Sequence, residues 1–277
     1  MKKSLLILLV VAMLMTALVS CIGCGQPQPT TTTPAQTTES TTPPTDTTTT
    51  TPPPTTDTTT TTTQDSPTNP PEDENCSEGL EFTLNEDGES YSVTGIGTCT
   101  DADIVIPNTY NGKPVTGIGD FAFSGCTDIT SVVIRDGVAS IGNGAFSGCT
   151  SLATIDFSNS VRLVGNCSFG GCAFENLSIV GLEVMGPWAF AGCELLESIV
   201  VSSTLVWVAW DAFRGCTTFD TIYYTGTQEG WNNINIDETY NGNIELFSAT
   251  VYYYSETAPV VTGNFWHYVD GVPTIWQ

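Results

Sequence analysis

The chain has 277 residues, with 6 Lys and Arg against 30 Asp and Glu, and a formal net charge of −24. Such an acidic chain repels polyanions, because affinity for phosphates comes from Lys and Arg, so nucleic-acid binding is excluded. Beyond a leading apolar segment and a Thr/Pro-rich stretch, about 200 residues remain, which is enough for one domain with a substantial core.

Residues 1–20 have the plan of a secretory signal peptide. Lys2 and Lys3 precede an unbroken apolar run that is short for a membrane-spanning helix. The sequence LVSC at 18–21 resembles the lipobox of bacterial lipoproteins, in which the cysteine, here Cys21, is acylated and becomes the new N-terminus. The resemblance implies a protein anchored by lipid to the membrane on the cell surface. An uncleaved anchor or an ordinary signal peptide is the alternative.

Residues 21–75 are the predicted stalk. Between Gln26 and Asn75 the chain has 23 Thr and 11 Pro and almost no large apolar residue. Such a segment cannot bury enough apolar surface to offset its ordering entropy, so we expect it to be disordered and extended. It would hold the folded part away from the membrane, either stiffened by O-glycosylation or as a simple flexible tether.

From Cys99 onward the sequence repeats. Five copies of one unit read IGDFAFSGC, IGNGAFSGC, VGNCSFGGC, MGPWAFAGC and VAWDAFRGC, and their last residues are 23, 23, 21 and 23 positions apart. These closing cysteines are Cys126, Cys149, Cys172, Cys193 and Cys216. A period in the twenties with apolar residues at fixed offsets is typical of a leucine-rich solenoid, in which each copy buries its apolar side against its neighbours.

Each copy contains a predicted short strand. The alternation at Ile155-Asp156-Phe157 and Ile199-Val200-Val201 places one residue of each triplet outward, and stacked copies would pair these strands into a parallel sheet. The 21-residue interval lacks one residue on each side of Leu177-Ser178-Ile179, so we expect a local kink there with the strand kept.

One glycine recurs at the same offset in four copies, where we expect a tight bend that needs positive φ. The four are Gly119, Gly142, Gly165 and Gly186. The last copy has Ala209 at this offset, so either the bend relaxes there or positive φ is not required.

The repeat unit resembles the BspA-like leucine-rich repeats, whose pattern is V-x-x-I-G-x-x-A-F-x-x-C, over about Cys99 to Tyr224. LEFTLNEDGESYSVTGIGTC resembles the hairpin that opens such arrays, and IYYTGTQEGWNNINI, ATVYYYSET and NFWHYVDG resemble their closing module. The resemblance implies a mainly β repeat solenoid at 99–225, with an N-terminal β-hairpin cap at 76–98 and a C-terminal cap at 226–277. Members are typically surface-exposed bacterial proteins linked to adhesion.

The chain departs from the family pattern at two points. In the third copy Cys167-Ser168 replaces the usual pair that ends in Ala, and the strand-ending proline is present only as Pro107 in the first copy. These departures put the register in doubt but not the resemblance.

Cys99 and the five closing cysteines occupy one repeat position, which predicts an inward column. Neighbouring rungs would lie about 4.8 Å apart, within disulfide reach, but their Cβ vectors would run parallel. We therefore favour buried free thiols that act as small hydrophobes over disulfides. Cys76 and Cys167 lie off the column and are the two that could form a bond.

No motif predicts catalysis, a cofactor or a metal site. His267 is the only histidine, for which a packing or surface role is expected, and no GxSxG, HExxH or phosphate loop occurs. Carboxylates such as Asp237 and Glu238 are not fixed at the separation that acid–base chemistry needs. Weak calcium binding by the acidic surface stays open. The chain is therefore not predicted to be an enzyme.

Two surfaces are candidates for ligand binding. Trp188, Trp207 and Trp210 occupy offsets that hold smaller residues in other copies, with Trp207 predicted on the outer side of a short strand. The alternative is that these rings cover the end of the solenoid under the closing module. The second surface is the outward row of the main sheet with a flanking arginine, because an extended regular surface suits a large ligand. This row comprises Val133, Asp156, Ser178, Val200 and Tyr223, flanked by Arg135.

Anchor, stalk and repeats together favour a cell-surface lipoprotein that presents its repeats to an extracellular protein or glycan. The alternative is a passive structural or spacer protein of the cell envelope without a specific ligand, because the outward row consists mostly of small residues.

Overall fold

The structure, a computed structural model, describes residues 76–239 and 243–277. The predicted signal peptide, the lipidation site Cys21 and the stalk lie outside the described residues and stay predictions. Within the described part of the chain, no helix is long and apolar enough to cross a membrane.

The described residues form eighteen short strands and two five-residue helices. The strands are β1 (Glu81–Leu84), β2 (Tyr91–Gly95), β3 (Asp103–Ile106), β4 (Thr109–Tyr110), β5 (Lys113–Ile118), β6 (Ser131–Ile134), β7 (Ser140–Ile141), β8 (Thr154–Asp156), β9 (Leu163–Val164), β10 (Asn176–Ile179), β11 (Val184–Met185), β12 (Ser198–Val201), β13 (Trp207–Val208), β14 (Thr221–Tyr224), β15 (Asn235–Ile236), β16 (Thr250–Tyr254), β17 (Phe265–Val269) and β18 (Val272–Ile275). The helices are α1 (Gln228–Asn232) and α2 (Ile244–Ser248). The chain is a mainly β repeat solenoid.

Two stacks of parallel strands run along the solenoid. The first contains β5, β7, β9, β11, β13 and β15, and the antiparallel hairpin of β1 and β2 extends it through β2. The second stack is divided into β3-β6-β8 and β10-β12-β14-β16, after which β17 adds in parallel and β18 returns antiparallel. The strand predicted around Ser178 is kept as β10, but it belongs to a different sheet from β8. The shorter 21-residue copy therefore coincides with a break in the second stack.

The turns that end at the closing cysteine of each copy form a third stack along the solenoid. The amide of Phe146 donates to the carbonyl of Ser168 at 2.7 Å, and Phe169 donates likewise to Ala189 at 2.8 Å. The phenylalanine rings stack inside the solenoid, with Phe146 5.0 Å from Phe123 and 5.3 Å from Phe169 between ring centroids. Hydrogen bonds and ring stacking thus join neighbouring copies over the same few residues.

The prediction of positive φ at the recurring glycine is wrong. None of Gly119, Gly142, Gly165 and Gly186 has positive φ, and Ala209 donates to the preceding copy as the glycines do, with its amide 2.9 Å from the Met185 carbonyl. A Cβ at Gly142 would instead lie 2.6 Å from the amide nitrogen of Asp120, so close stacking of the copies requires glycine there.

The left-handed residue of each copy comes two positions later. Its φ lies between 51° and 59° in all five copies, whatever the side chain. These residues are Phe121, Gly144, Cys167, Trp188 and Asp211. In the third copy, the Ser168 hydroxyl that follows is fully buried and lies 2.7 Å from the Gly142 carbonyl, so the departure from the family pattern is accommodated by a hydrogen bond.

Candidate functional site

The structure places the predicted outward row on the second stack, in two parts. Val133 pairs with Asp156 between β6 and β8, and Ser178, Val200 and Tyr223 lie side by side on β10, β12 and β14. The break between β8 and β10 separates the two groups. The row is therefore not one continuous strip across the solenoid.

Exposure differs along the row. Asp156 and Ser178 are exposed, whereas Val133, Tyr223 and the flanking Arg135 are half-buried. Val200 is only 6% exposed, which corrects its assignment to the accessible surface. It is a short aliphatic side chain in a strand that has a neighbour on each side, beside the much larger Tyr223.

The row continues from Tyr223 into four further aromatic residues that the sequence analysis did not assign to a site. Tyr252 of β16 pairs with Tyr223, and two residues further Tyr254 pairs with Trp266 of β17. Strand alternation places all of these on the outward face, since Ile222 and Tyr224 point into the core. We call the following five residues the aromatic patch: Tyr223, Tyr252, Tyr254, Trp266 and Tyr268.

The aromatic patch is built around Trp266. This ring is fully buried, and the rings of Tyr223, Tyr254 and Tyr268 lie 5.4, 5.2 and 4.9 Å from it between centroids. Its indole Nε1 donates to the Tyr224 carbonyl at 3.0 Å, which satisfies the one polar group of the buried ring. Tyr254 and Tyr268 remain 39% and 44% exposed. The patch therefore has a fixed centre and an accessible aromatic rim.

Two tyrosines of the patch, Tyr223 and Tyr268, are held in their neutral form. Partial burial raises the pKa of Tyr223, and the nearby Tyr252 and Asp220 raise it further. Burial and then Tyr254 raise the pKa of Tyr268 in the same way. Each hydroxyl therefore keeps its proton at neutral pH and can donate a hydrogen bond to a ligand.

A period of two in the sequence could have identified the patch. In ATVYYYSET, Tyr252 and Tyr254 fall on one face of a strand and Tyr253 on the other. Their position beside Tyr223 and Trp266 depends on strand pairings with distant segments, which the alternation alone does not give.

The three predicted tryptophans lie elsewhere. Trp207 is half-buried on β13 of the first stack, between buried Leu205 and Val208, as predicted from its offset. The rings of Trp188 and Trp210 meet edge to face, with centroids 4.1 Å apart. The structure therefore brings together Trp188 of the fourth copy and Trp210 of the fifth copy, which is the last one before the closing module.

The closing module reaches the residues on both sides of Trp210. The side-chain oxygen of Asn243 accepts from the backbone amide of Ala212 at 2.9 Å, and its side-chain nitrogen donates to the carbonyl of Ala209 at 2.9 Å. This contact brings the closing module beside Trp210, and the exposed rings of Tyr254 and Tyr268 on the second stack are the stronger candidate for a binding site.

The cysteine column is buried over its later rungs. Cys149, Cys193 and Cys216 are buried free thiols, as predicted, and each donates to the carbonyl of a phenylalanine in the preceding copy at 3.0 to 3.2 Å. Cys99 and Cys126 are only half-buried, because they stand at the N-terminal end of the column. The later rungs of the column are part of the core and offer no exposed thiol to a ligand.

The thiol pKa values follow from this environment. Burial raises the pKa of Cys149 to about 12, with the neighbouring Cys126 adding to the effect. A hydrogen bond with the Cys193 thiol and then burial raise the pKa of Cys216. Among the described residues, no group of three or more His, Cys, Asp or Glu side chains is arranged to hold a metal ion.

Two parallel strand stacks and a stacked turn, repeated every 21 to 23 residues, define a leucine-rich-repeat solenoid. Residues 116–238 match the sequence profile of the BspA type leucine rich repeat region in six copies. The repeat region of this chain belongs to that family.

Solved structures of two bacterial proteins are similar to parts of this chain. A leucine rich cell surface protein from Faecalibacterium prausnitzii A2-165 is 32% identical, with a TM-score of 0.51 over 57% of this chain and 41% of that protein. A leucine rich repeat protein from T. pallidum is 21% identical, with a TM-score of 0.46 over 64% of this chain and 84% of that one. This chain thus spans less than half of the Faecalibacterium protein. No curated protein matches it significantly.

Proposed function

We propose that this chain is a bacterial cell-surface lipoprotein whose solenoid binds an extracellular protein or glycan through the outward face of the second strand stack. The observation that carries the proposal is the aromatic patch, with Tyr254 and Tyr268 exposed at the end of a regular sheet. Exposed aromatic clusters mark binding sites, and tyrosines combine a flat apolar face with a hydrogen-bonding hydroxyl. The outward residues Asp156 and Ser178 would add polar contacts along the same stack.

Binding rather than catalysis agrees with the surroundings of the single histidine. The ring of His267 stacks on Trp276 with centroids 3.8 Å apart, which gives it the packing role expected from the sequence. The Faecalibacterium relative is described as a cell surface protein, which supports a surface location for this chain too. The proposed anchor is Cys21, with the Thr/Pro-rich segment as the stalk.

A passive spacer of the cell envelope is the second candidate. It is favoured by the complete burial of Trp266, because an outer-face cluster with a buried centre also stabilises the end of a sheet. In that case the aromatic patch would serve the fold and would have no ligand.

A binding screen separates the two functions. The chain from residue 22 onward would be tested against matrix proteins, mucins and a glycan panel. Saturable binding is expected, and the double variant Tyr254→Ser, Tyr268→Ser should weaken it about tenfold or more. Leu195→Ser is the matched control, since Leu195 is 53% exposed on a repeat turn, and it should leave binding unchanged. No binding to any member of the panel would favour the spacer.

A further inference from the structure

We propose that the aromatic patch recognises a polypeptide segment rich in Lys and Arg. This inference rests on the proposed function and names the ligand class for the same surface. It follows from the combination of accessible aromatic rings and a surrounding charge of one sign.

The rings supply the first half of the recognition. The face of a tyrosine attracts an ammonium or guanidinium group placed over it within about 6 Å of the centroid. The ring centroids of Tyr254 and Tyr268 lie 6.2 Å apart, and their ring planes are inclined by 51°. Both rings are exposed, so they can flank one bound cation. Trp266 contacts both and fixes their positions, so little side-chain freedom is lost when a cation binds.

The charges supply the second half. Residues 215–277 contain seven acidic residues and no Lys or Arg. Asp220 is close enough to Tyr223 to raise its pKa, and Glu256 and Asp270, each exposed, follow Tyr254 and Tyr268 by two residues. Every fully charged side chain in this part of the chain therefore attracts a basic partner and repels an acidic one.

The surface beside the patch suits an extended segment. Ser178 and Val200 precede Tyr223 and Tyr252 along one row of paired strands, and their small side chains leave a lower surface next to the tyrosine rings. An extended peptide bound along this row would contact the small side chains of Ser178 and Val200 and then the tyrosine rings. The carboxylates would repel an anionic glycan, and a neutral sugar would lack the charge attraction that they offer to a basic peptide.

The test uses the chain from residue 22 onward, which retains all the described residues. Titration calorimetry would compare a short peptide of Arg, Lys, Gly and Ser with a peptide in which Glu replaces the basic residues, and with a neutral oligosaccharide. We expect the basic peptide to bind, with an affinity that falls as salt is raised, and the acidic peptide not to bind.

Three variants locate the site. Tyr254→Leu with Tyr268→Leu keeps apolar bulk but removes both rings, and should weaken binding of the basic peptide about tenfold. The matched pair Tyr254→Phe with Tyr268→Phe keeps the rings and should bind within about threefold of the original chain. Glu256→Gln with Asp270→Asn should lower the affinity and flatten its salt dependence, whereas Glu194→Gln, at an exposed residue of a repeat turn, should change neither.

The outcomes separate this inference from the proposed function. Equal binding of the basic peptide to the Leu and Phe variants would overturn the inference. Binding of the oligosaccharide in its place, lost in the Leu variant, would also overturn it but would support the proposed function. If the basic peptide fails here and no ligand binds in the wider panel, both are overturned.

Discussion

Phe146 is held in the core by its counterparts in the neighbouring copies. It is fully buried, and its ring is within 3° of parallel to those of Phe123 and Phe169. Each stacking phenylalanine of a middle copy therefore contributes to two interfaces between copies, and its loss affects both.

Replacement of Phe146 by Ala should lower the free energy of unfolding by about 3–5 kcal/mol, because a large buried ring leaves a cavity. Asp156→Ala is the control, since Asp156 is exposed, and it should stay within about 0.5 kcal/mol. Denaturant unfolding followed by circular dichroism measures both. Similar losses at the two positions would contradict the assigned register.

The buried thiols should make the stability fall at high pH. In the unfolded chain the Cys149 thiol ionises near its ordinary pKa of 9.0, whereas in the folded state it keeps its proton up to about 12. Below pH 9 both states are protonated and the thiol has no effect on the pH dependence. Between about pH 9 and 12 the unfolded state is favoured by about 1.4 kcal/mol per pH unit for each such thiol.

The variant Cys149→Ala should therefore show a smaller decrease of unfolding free energy between pH 9 and 11 than the original chain, whatever its stability at pH 7. Denaturant titrations across this pH range measure the slope. Equal slopes would contradict the raised pKa.

Alkylation of the denatured chain followed by mass spectrometry tests whether these thiols are free. A disulfide-linked pair of neighbouring column cysteines would exclude free thiols.

At the scale of the structural element, a row of Asn and Asp side chains connects the first copies. The backbone amide of Asn143 donates to a carboxylate oxygen of Asp120 at 2.7 Å. The side-chain oxygen of Asn143 accepts from the backbone amide of Asn166 at 2.9 Å. The row stops at Pro187, which occupies the next such position and has no amide hydrogen. This explains why the buried side-chain oxygen of Asn166 has no hydrogen-bond partner.

The last copy is closed by side chains in place of a further copy. The amide of Ala212 donates to the side chain of Asn243, and the amide of Gly215 donates to the Glu245 carboxylate at 2.8 Å. In the middle of the solenoid, the amides equivalent to Gly215 donate to carbonyl groups of the next copy, whereas those equivalent to Ala212 donate within their own copy. Asn243 has a φ of 62°, close to that of the left-handed residue in each copy. The Glu245 carboxylate thus replaces the carbonyl group of a further copy, and Asn243 adds a bond that has no counterpart between the middle copies.

Asn243→Gly should destabilise the chain by about 1–3 kcal/mol, because it leaves the buried amide of Ala212 without an acceptor while permitting the same φ. Thermal unfolding measures the loss. Ile244→Ala is the adjacent control, since Ile244 is 60% exposed, and should have little effect. An unchanged melting temperature in the Asn243 variant would show that the solenoid end does not depend on this bond.

At the scale of the whole molecule, the proposed anchor determines where the binding face is presented. Removal of residues 1–20 would leave 4 basic and 30 acidic residues on the mature chain. Such a chain has no basic cluster to attract it to anionic lipids, so membrane attachment would depend on acyl chains.

Cys21→Ala should therefore abolish lipidation, and the chain should be released into the medium or remain as an uncleaved precursor. Detergent phase partitioning with mass spectrometry of the N-terminus measures the outcome, and Cys24→Ala is the matched control, expected to stay lipid-modified and membrane-bound. A processed Cys21→Ala chain that still enters the detergent phase would contradict the lipoprotein assignment.

The sequence by itself determined the repeat, the short strands and the inward cysteine column, because each copy has the same local pattern of apolar residues. It also placed Trp207 and Asp156 on the outer side of their strands. These features depend on periods of two and of about 23 residues, which can be read without knowing which segments touch.

The tertiary structure alone decided two other matters. Gly142 is required by the closeness of the preceding copy and not by its own φ, a reason visible only when copies are stacked. The aromatic patch forms because β14, β16 and β17 pair across long stretches of chain, which brings Trp266 beside Tyr223. Contacts between segments so far apart depend on register and packing, and no local pattern of residues specifies them.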